Sequence, residues 1–405
     1  MSFSATFGLP GKWYKPVDVQ RLHLLVGGPN APVSDADGDG GHVVAEKLPK
    51  WSSRKAKTTW SLASRSVLLS AGVASSIRRR QMSKGGESSS EAAVPPAKKI
   101  LVFGATGVIG KVITAALINA KAEFARIGIF TSEATFAGKA ALIDAICEGG
   151  VDVIVGDVNN DAQVLNAYQA FDTVVSAVGR NAIDKQMNLI RLAESSSTIT
   201  RFIPSEYGTD IEYNASSAEE RPHQKKLQVR AYIWSSVSRM RYTYLVTGPF
   251  ADMYMGPMAH EPRAGTFDVV NRKATLLGDG TGKISLTTMA DVGRLLIAVL
   301  LHPEASDNRA LKVSSYTTTP NEILAEFERQ TGSKWDVSYT PLGDLRGLEN
   351  NAWQEGSPVA TVFTLRRIWT EGSTLYEKTD NAALGMAKMD TLEMSVQETI
   401  WKAHG

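Results

Sequence analysis

Cysteine occurs once in this 405-residue chain, at Cys147, which excludes an internal disulfide and any cysteine-built metal site. That scarcity fits a reducing compartment, and Cys147 reads as a small core residue on a helix rather than a reactive thiol. Long apolar runs are missing too: LLIAVLL at 295–301 is far shorter than the ~20 residues of a membrane-spanning helix. The expectation is a soluble protein with no membrane partner. No charge sign dominates either, since 44 Lys and Arg against 42 Asp and Glu leave a formal net charge of +2. Nothing global therefore points to nucleic acid, and no metal site is expected. A hydrophobic fraction of 43% and a charged fraction of 21% are ordinary for a globular chain with a sizeable core. The length predicts two lobes, one for a cofactor and one for a substrate.

Residues 1–97 lack the periodicity that builds a core. They carry the turn-rich stretches DADGDGG, KGGESSSE and VPPAKK, and are expected to be a disordered extension or a leader. Residues 51–86 contain no acidic side chain and have the Ser- and Arg-rich composition of an organelle transit peptide. Two alternatives stand beside that reading: a solvated basic arm, and a true start at Met82. A transit peptide belongs at the very N-terminus and this basic tract starts late, so a cytoplasmic location is expected, with a mitochondrial one as the alternative. The run Arg78-Arg79-Arg80 resembles a nuclear signal, but a single short cluster carries little weight.

From Lys98 onward the pattern becomes regular. The apolar runs KILVF, RIGIF, VDVIV and DTVVSAV alternate with stretches of helical spacing, and RFIP and YTYLVTG continue the series. Strands alternating with helices predict a doubly wound parallel α/β sheet of Rossmann type, joined by right-handed crossovers. Val108, Ile109, Val112, Ile113, Ala116 and Leu117 recur at three and four, which gives the first helix an apolar face. Later, MADVGRLLIAVLLHP and PNEILAEFERQTG read as helices, the second ended by Gly332. The expected organisation is 98–250 as the nucleotide-binding domain and 251–405 as a smaller α+β substrate domain, some of whose segments return to the first sheet.

Directly after KILVF stands Gly104-Ala-Thr-Gly107-Val-Ile-Gly110, a Gly-x-x-Gly-x-x-Gly at a strand-to-helix junction. Gly104 permits the tight turn, Gly107 admits a pyrophosphate close to the backbone, and Gly110 allows helix and strand to touch. The helix start offers its N–H groups and positive dipole end to the phosphates. The loop residues Gly104, Thr106, Gly107, Val108, Ile109 and Gly110 are therefore the expected cofactor contacts. An acidic residue at the end of the second strand would accept the ribose hydroxyls of NAD, and Thr131 stands there instead. Lys139 could meet a 2′-phosphate or be a solvated lysine, whereas Glu133 argues mildly against such a phosphate. NADP is the expected cofactor, with NAD as the alternative.

One catalytic pair is absent: none of the eleven tyrosines is followed by Lys four residues later, so the usual short-chain dehydrogenase proton transfer is not expected. RFIPSEYGTD at 201–210, HQKKLQVRAYI at 223–233 and YTYLVTGPFADMY at 242–254 together resemble an atypical short-chain family. It includes isoflavone reductases, pinoresinol-lariciresinol reductases, phenylcoumaran benzylic ether reductases and NmrA-like proteins. The resemblance covers roughly residues 98–335. It takes in the glycine loop, the Pro204-Ser205-Glu206-Tyr207-Gly208 block, the Lys226/Arg230 pair, the YTY strand and the start of a helix at Pro320-Asn321-Glu322. The block and VTGPFAD look closer to fungal NmrA-like members than to plant reductases. Thr131 also departs from the Arg that the family's reductases carry at that place.

The resemblance implies that Lys226, from the Lys-x-x-x-Arg helix, lies near the nicotinamide. A hydride reduction creates negative charge on the acceptor, and a partly desolvated ammonium can supply the proton. The alternative for Lys226 is a solvated helix lysine paired with an acid. Lys225 should face elsewhere, Arg230 is expected in a structural ion pair, and His223 reads as an ordinary loop histidine rather than a second acid or base. Strand-end geometry adds Asp157 near the adenosine, or as a capping residue. It also places Ser176, Ala177, Val178 and Gly179 beneath the cofactor, and Pro204 and Ser205 beside the nicotinamide. By family likeness Tyr207 and Phe250 line the substrate pocket, or else are ordinary core aromatics. The resulting expectation is an NADP(H)-dependent reductase of a small aromatic or conjugated substrate, as monomer or homodimer, with Lys226 as proton carrier. The alternative is a non-catalytic NmrA-like regulator that senses NAD(P).

Overall fold

The computed structural model describes residues 95–404, so the expectations placed on residues 1–94 lie outside the described residues. The β-branched and aromatic runs become strands β1 (Lys99–Phe103), β2 (Arg126–Thr131), β3 (Asp152–Val155), β4 (Thr173–Ser176), β5 (Arg201–Ile203) and β6 (Arg241–Val246). The helices between them are α1 (Val108–Asn119), α2 (Glu133–Gly138), α3 (Ala140–Glu148), α4 (Asp161–Tyr168), α5 (Gln186–Ser195) and α6 (Gln224–Ser236). After the short α7 (Ala251–Tyr254) come β7 (Thr266–Asp268), β8 (Lys273–Leu277) and β9 (Ile284–Leu286). Helices α8 (Met289–Leu301) and α9 (Pro303–Ser306) then return the chain to the first sheet as β10 (Arg309–Lys312). The remainder is β11 (Tyr316–Thr318), α10 (Pro320–Thr331), β12 (Asp336–Thr340), α11 (Leu342–Gln354), α12 (Ala360–Thr370) and α13 (Leu392–His404).

The seven-stranded sheet has the order β10-β6-β5-β4-β1-β2-β3, every pair parallel. This is the Rossmann-type sheet that the alternation of strands and helices predicts, with helices covering both faces. Strand periodicity assigns the faces. On β1, Ile100 and Val102 join the core under α1, α3 and α8, while Leu101 and Phe103 join the core under α4, α5 and α6. Helix α8 lies close to α1 because Gly293 faces Ala116, where an added Cβ would meet the alanine Cβ at 2.9 Å.

The remaining part of the chain is mixed: β8 pairs with β12 in parallel and with β7 antiparallel, and β11 pairs with β9 antiparallel. Its core stacks Phe327 between Phe267 and Trp335, with ring centroids 5.4 and 4.9 Å apart. Helix α10 begins in a Thr319/Glu322 capping box with Pro320 behind it, and ends at Gly332 with φ 63. Among the described residues no helix is long and apolar enough to cross a membrane.

Two expectations shift. Cys147 does lie on a helix, α3, but is exposed: Leu142, Ile143 and Ile146 take the buried face, and the next position is rotated by about 100°. Val108, expected on the apolar face of α1, is 62% exposed: it is the first residue of the helix, and Ile109, Ile113 and Leu117 take the buried face.

Arg201 on β5 is fully buried and its guanidinium meets Asp307 twice, at 2.9 and 3.1 Å. Removing one partner of a buried pair strands the other charge. Asp307→Ala should lower the unfolding free energy by about 3 kcal/mol in urea titration; a loss below about 0.5 kcal/mol would mean the pair does not hold the sheet edge.

Candidate active site

The carboxyl ends of β1, β4, β5 and β6 meet at one edge of the sheet, and the backbone there leaves no spare room. At Gly104 (φ 77) a Cβ would stand 2.6 Å from the Ala177 carbonyl oxygen, and at Gly110 only 1.9 Å from that of Gly104. The Gly107 N–H donates to the Gly104 carbonyl at 3.0 Å, closing the turn. Gly107 then starts α1 with no side chain capping it and no acidic residue in the first turn. The N–H groups of that turn and the positive dipole end are thus presented to an anion.

Two lysines stand at this loop. Lys139, between α2 and α3, reaches the Thr106 carbonyl and hydroxyl at 3.4 and 3.5 Å. Lys111 on α1 has its pKa pushed down by burial and by the charge of Lys139, so the two cations lie within each other's field. Sequence reading missed Lys111; its signal was the position directly after Gly110. Thr131 is buried at the end of β2, and Ser132 rather than an acid caps α2. Asp157 is exposed after β3, and its carboxylate accepts from the Asn159 main chain and side chain at 2.9 Å, so it shapes its own turn.

Ser176, Ala177, Val178 and Gly179 follow along β4 and out of it. Ser176 is fully buried, its hydroxyl without a partner. Ser205 joins the ends of β4 and β5: its hydroxyl donates to Val178 at 2.9 Å, and its N–H to the Gln186 side chain at 2.7 Å. Pro204 is buried beside it, and the Glu206 N–H turns back to the Pro204 carbonyl at 2.8 Å. The block is pinned from later in the chain. The Gly248 N–H donates to Gly208 at 2.9 Å, Trp369 Nε1 to Thr209 at 2.7 Å, and Lys312 pairs with Asp210 at 2.7 Å.

Lys226, in the first turn of α6, is partly buried, and its Nζ donates to the main-chain carbonyl of Glu206. Burial pushes its pKa below the usual lysine value; Glu206 pulls it back up, while Arg230 and Arg180 push it further down. The solvated-lysine alternative does not describe this residue. Lys225, by contrast, is exposed and pairs with Asp184 at 2.9 Å. Arg230 binds Glu206 through Nε at 3.0 Å and Nη2 at 3.1 Å, takes Glu212 on Nη1, and lies over the Tyr244 ring.

His223 corrects the picture of a loop histidine. It is buried in the turn before α6, with Nδ1 2.9 Å from the Ser217 carbonyl and Nε2 buried without a partner. Tyr207 is also buried, its hydroxyl unpartnered and its ionisation suppressed by burial. Phe250 is partly buried before α7, its backbone bridged to Thr287.

A family model described as the NmrA-like family matches residues 96–365. The chain belongs to the NmrA-like family. The resemblance read from the glycine loop, the SEYG block and the Lys-x-x-x-Arg helix is thereby borne out. The relatives include plant and fungal proteins. The isoflavone reductase homolog P3 of Arabidopsis thaliana is 30% identical over 251 residues, 61% of this chain and 79% of that protein. The oxidoreductase aprR of Aspergillus flavus is 32% identical over 216 residues, 53% of this chain and 70% of that one. The solved leucoanthocyanidin reductase–NADPH complex from Vitis vinifera shares the fold, with a TM-score of 0.65 at 20% identity over 75% of this chain and 99% of that one.

The buried His223 gives a pH dependence. Burial is the largest influence and holds its pKa below the ordinary 6.5, so the folded state prefers neutral imidazole and the unfolded state takes up the proton first. The stability this contributes is complete above pH 6.5 and is lost as the pH falls from there toward the folded value. Chemical unfolding between about pH 7.5 and 5 should show that loss, and His223→Asn should flatten it; equal slopes in both proteins would contradict the assignment.

Proposed function

We propose that this NmrA-like protein is an NADP(H)-dependent reductase of a small aromatic or conjugated substrate, with Lys226 as the proton carrier. The observation that carries the reading is the placing of one partly desolvated amine on the Glu206 carbonyl. It stands at the strand ends where a Rossmann sheet binds its ligands. The relatives support the reading by what they are called: a phenylcoumaran benzylic ether reductase, an isoflavone reductase homolog and a fungal oxidoreductase.

The residues present fit a dinucleotide. A Cβ at Gly104 or Gly110 would collide with the backbone that shapes the bend, and the uncapped start of α1 suits a diphosphate. When bound, NADPH supplies the hydride. Lys139 stands at Thr106 with the charge of Lys111 close by, which suits the extra phosphate of NADP, while Thr131 leaves no carboxylate to repel it. The leucoanthocyanidin reductase of Vitis vinifera was solved with this same cofactor, NADPH. Lys226 Nζ holds a proton and can give it to the substrate oxygen or carbon on which negative charge develops. Its lowered pKa makes that transfer easier near neutrality than for a solvated lysine. Ser205, Pro204 and the small residues 176–179 shape the floor on which the reacting ring would rest.

The test is NADPH oxidation against a panel of aromatic enones, benzylic ethers and quinones. Lys226→Met should lower kcat by about 10²- to 10⁴-fold while NADPH still binds; undiminished turnover would remove Lys226 from the chemistry. Bound cofactor with no turnover on any substrate would favour the redox-sensing regulator instead. In calorimetry, the Lys111→Gln/Lys139→Gln double variant should weaken NADPH by about tenfold or more and leave NADH nearly unchanged. Equal weakening of both would return the choice to NAD.

A further inference from the structure

The amine of Lys226 is gripped by a main chain, not by an acid. Its Nζ meets the Glu206 carbonyl, and Gly208 lies alongside both groups. A Cβ there would stand 3.6 Å from Nζ and 3.4 Å from that same carbonyl oxygen. The side chain of Glu206 is bound to the helix that carries the lysine. Arg230, one turn after Lys226, takes both carboxylate oxygens, and the two side chains are 6% and 2% exposed. A bidentate guanidinium–carboxylate contact fixes direction as well as distance. One residue thus touches Lys226 with its backbone and fastens the lysine's helix with its side chain.

We propose that Glu206 is the positioning residue for Lys226, its carbonyl setting where the amine points and its Arg230-clamped carboxylate balancing the amine's charge. As an account of catalysis this rests on Lys226 being the proton carrier; as an account of the amine's position and charge it does not. The other charged groups of the region come from several elements. Arg180, from the segment after β4, adds positive charge near Nζ, and His223 lies in the turn before α6. Asp184 is occupied by Lys225, and Glu212 by Arg230. From α5, which packs on α6, Arg191 pairs with Asp161 and Glu194 binds the N–H groups of Ser238, Arg239 and Met240. Glu206 is therefore the carboxylate that offsets the burial of Lys226, while Arg230 works against the amine's charge and for its geometry.

Two substitutions then act in opposite directions. Glu206→Gln removes the balancing charge and should lower the midpoint of Lys226 titration by about one pH unit or more. Arg230→Gln removes the nearby cation and frees the carboxylate, and should raise it. Arg230→Lys keeps the cation and should leave the midpoint near the parental value even if Gln at 230 does not fold. The midpoint is read as the pH dependence of acetic anhydride labelling of Lys226, resolved on its own peptide by mass spectrometry, with thermal unfolding run on each variant. Opposite shifts support the proposal. Shifts in one direction, or none, overturn it and reduce Glu206 to a structural residue. Because labelling needs no substrate, the outcomes separate: turnover retained in Lys226→Met sinks the proton-carrier reading while the opposite shifts would still stand. A pH–rate profile that follows the labelling midpoints would join the two.

Discussion

Backbone contact without side chains is the constraint on which the site depends. The bend after β1, the first turn of α1 and the end of β4 approach so closely that Gly104 and Gly110 have carbonyl oxygens where a Cβ would be. That contact brings Ala177 against the bend at Gly104, so the polar ends of several elements converge there. The sheet can tolerate this because both its faces are sealed elsewhere, by α1, α3 and α8 on one side and α4, α5 and α6 on the other.

Around that edge the later chain acts as a brace. Helix α12 reaches three separate parts of the site region. Arg366 donates to the Tyr254 carbonyl, Arg367 binds Glu220 just before His223, and Trp369 bonds to Thr209 next to the SEYG block. Arg367 also takes Glu349 and Glu371, which gathers α11, α12 and the 220–223 turn around one guanidinium. The segment after α12 continues across β10, where Asp380 accepts from the Lys312 N–H and Asn381 bonds to Ser314. A lysine on a helix start would otherwise sample many rotamers; here both the turn beneath it and the turn before it are tied to a distant helix.

Electrostatics divides the same region into two kinds of lysine. At the glycine loop, burial and the nearby charge of Lys139 hold the Lys111 pKa down, and an anion would relieve it. At Lys226 the burden is desolvation, partly offset by a carboxylate whose own charge is shared with a guanidinium. The first arrangement suits binding of phosphate, and the second suits holding a proton that can be given up.

The parallel sheet, the strand order's βαβ logic and the glycine loop were legible because they depend on local pattern: apolar runs of strand length, helical spacing, and glycines at a junction where a side chain has no space. The same holds for α10, whose Thr319/Glu322 box, Pro320 and Gly332 mark both of its ends. Residue types at fixed spacing, together with likeness to a family, singled out Lys226. What the chain could not show locally was which atoms meet. The burial of His223, the exposure of Cys147 and Val108, the approach of Lys111 to Lys139 and the clasp of Glu206 on both Lys226 and Arg230 all depend on neighbours that sequence order leaves apart. Amino-acid order determined the elements and the chemistry each could offer. Only packing decided which amine lost its water and which carboxylate stood beside it, because desolvation and charge depend on neighbours in space rather than along the chain.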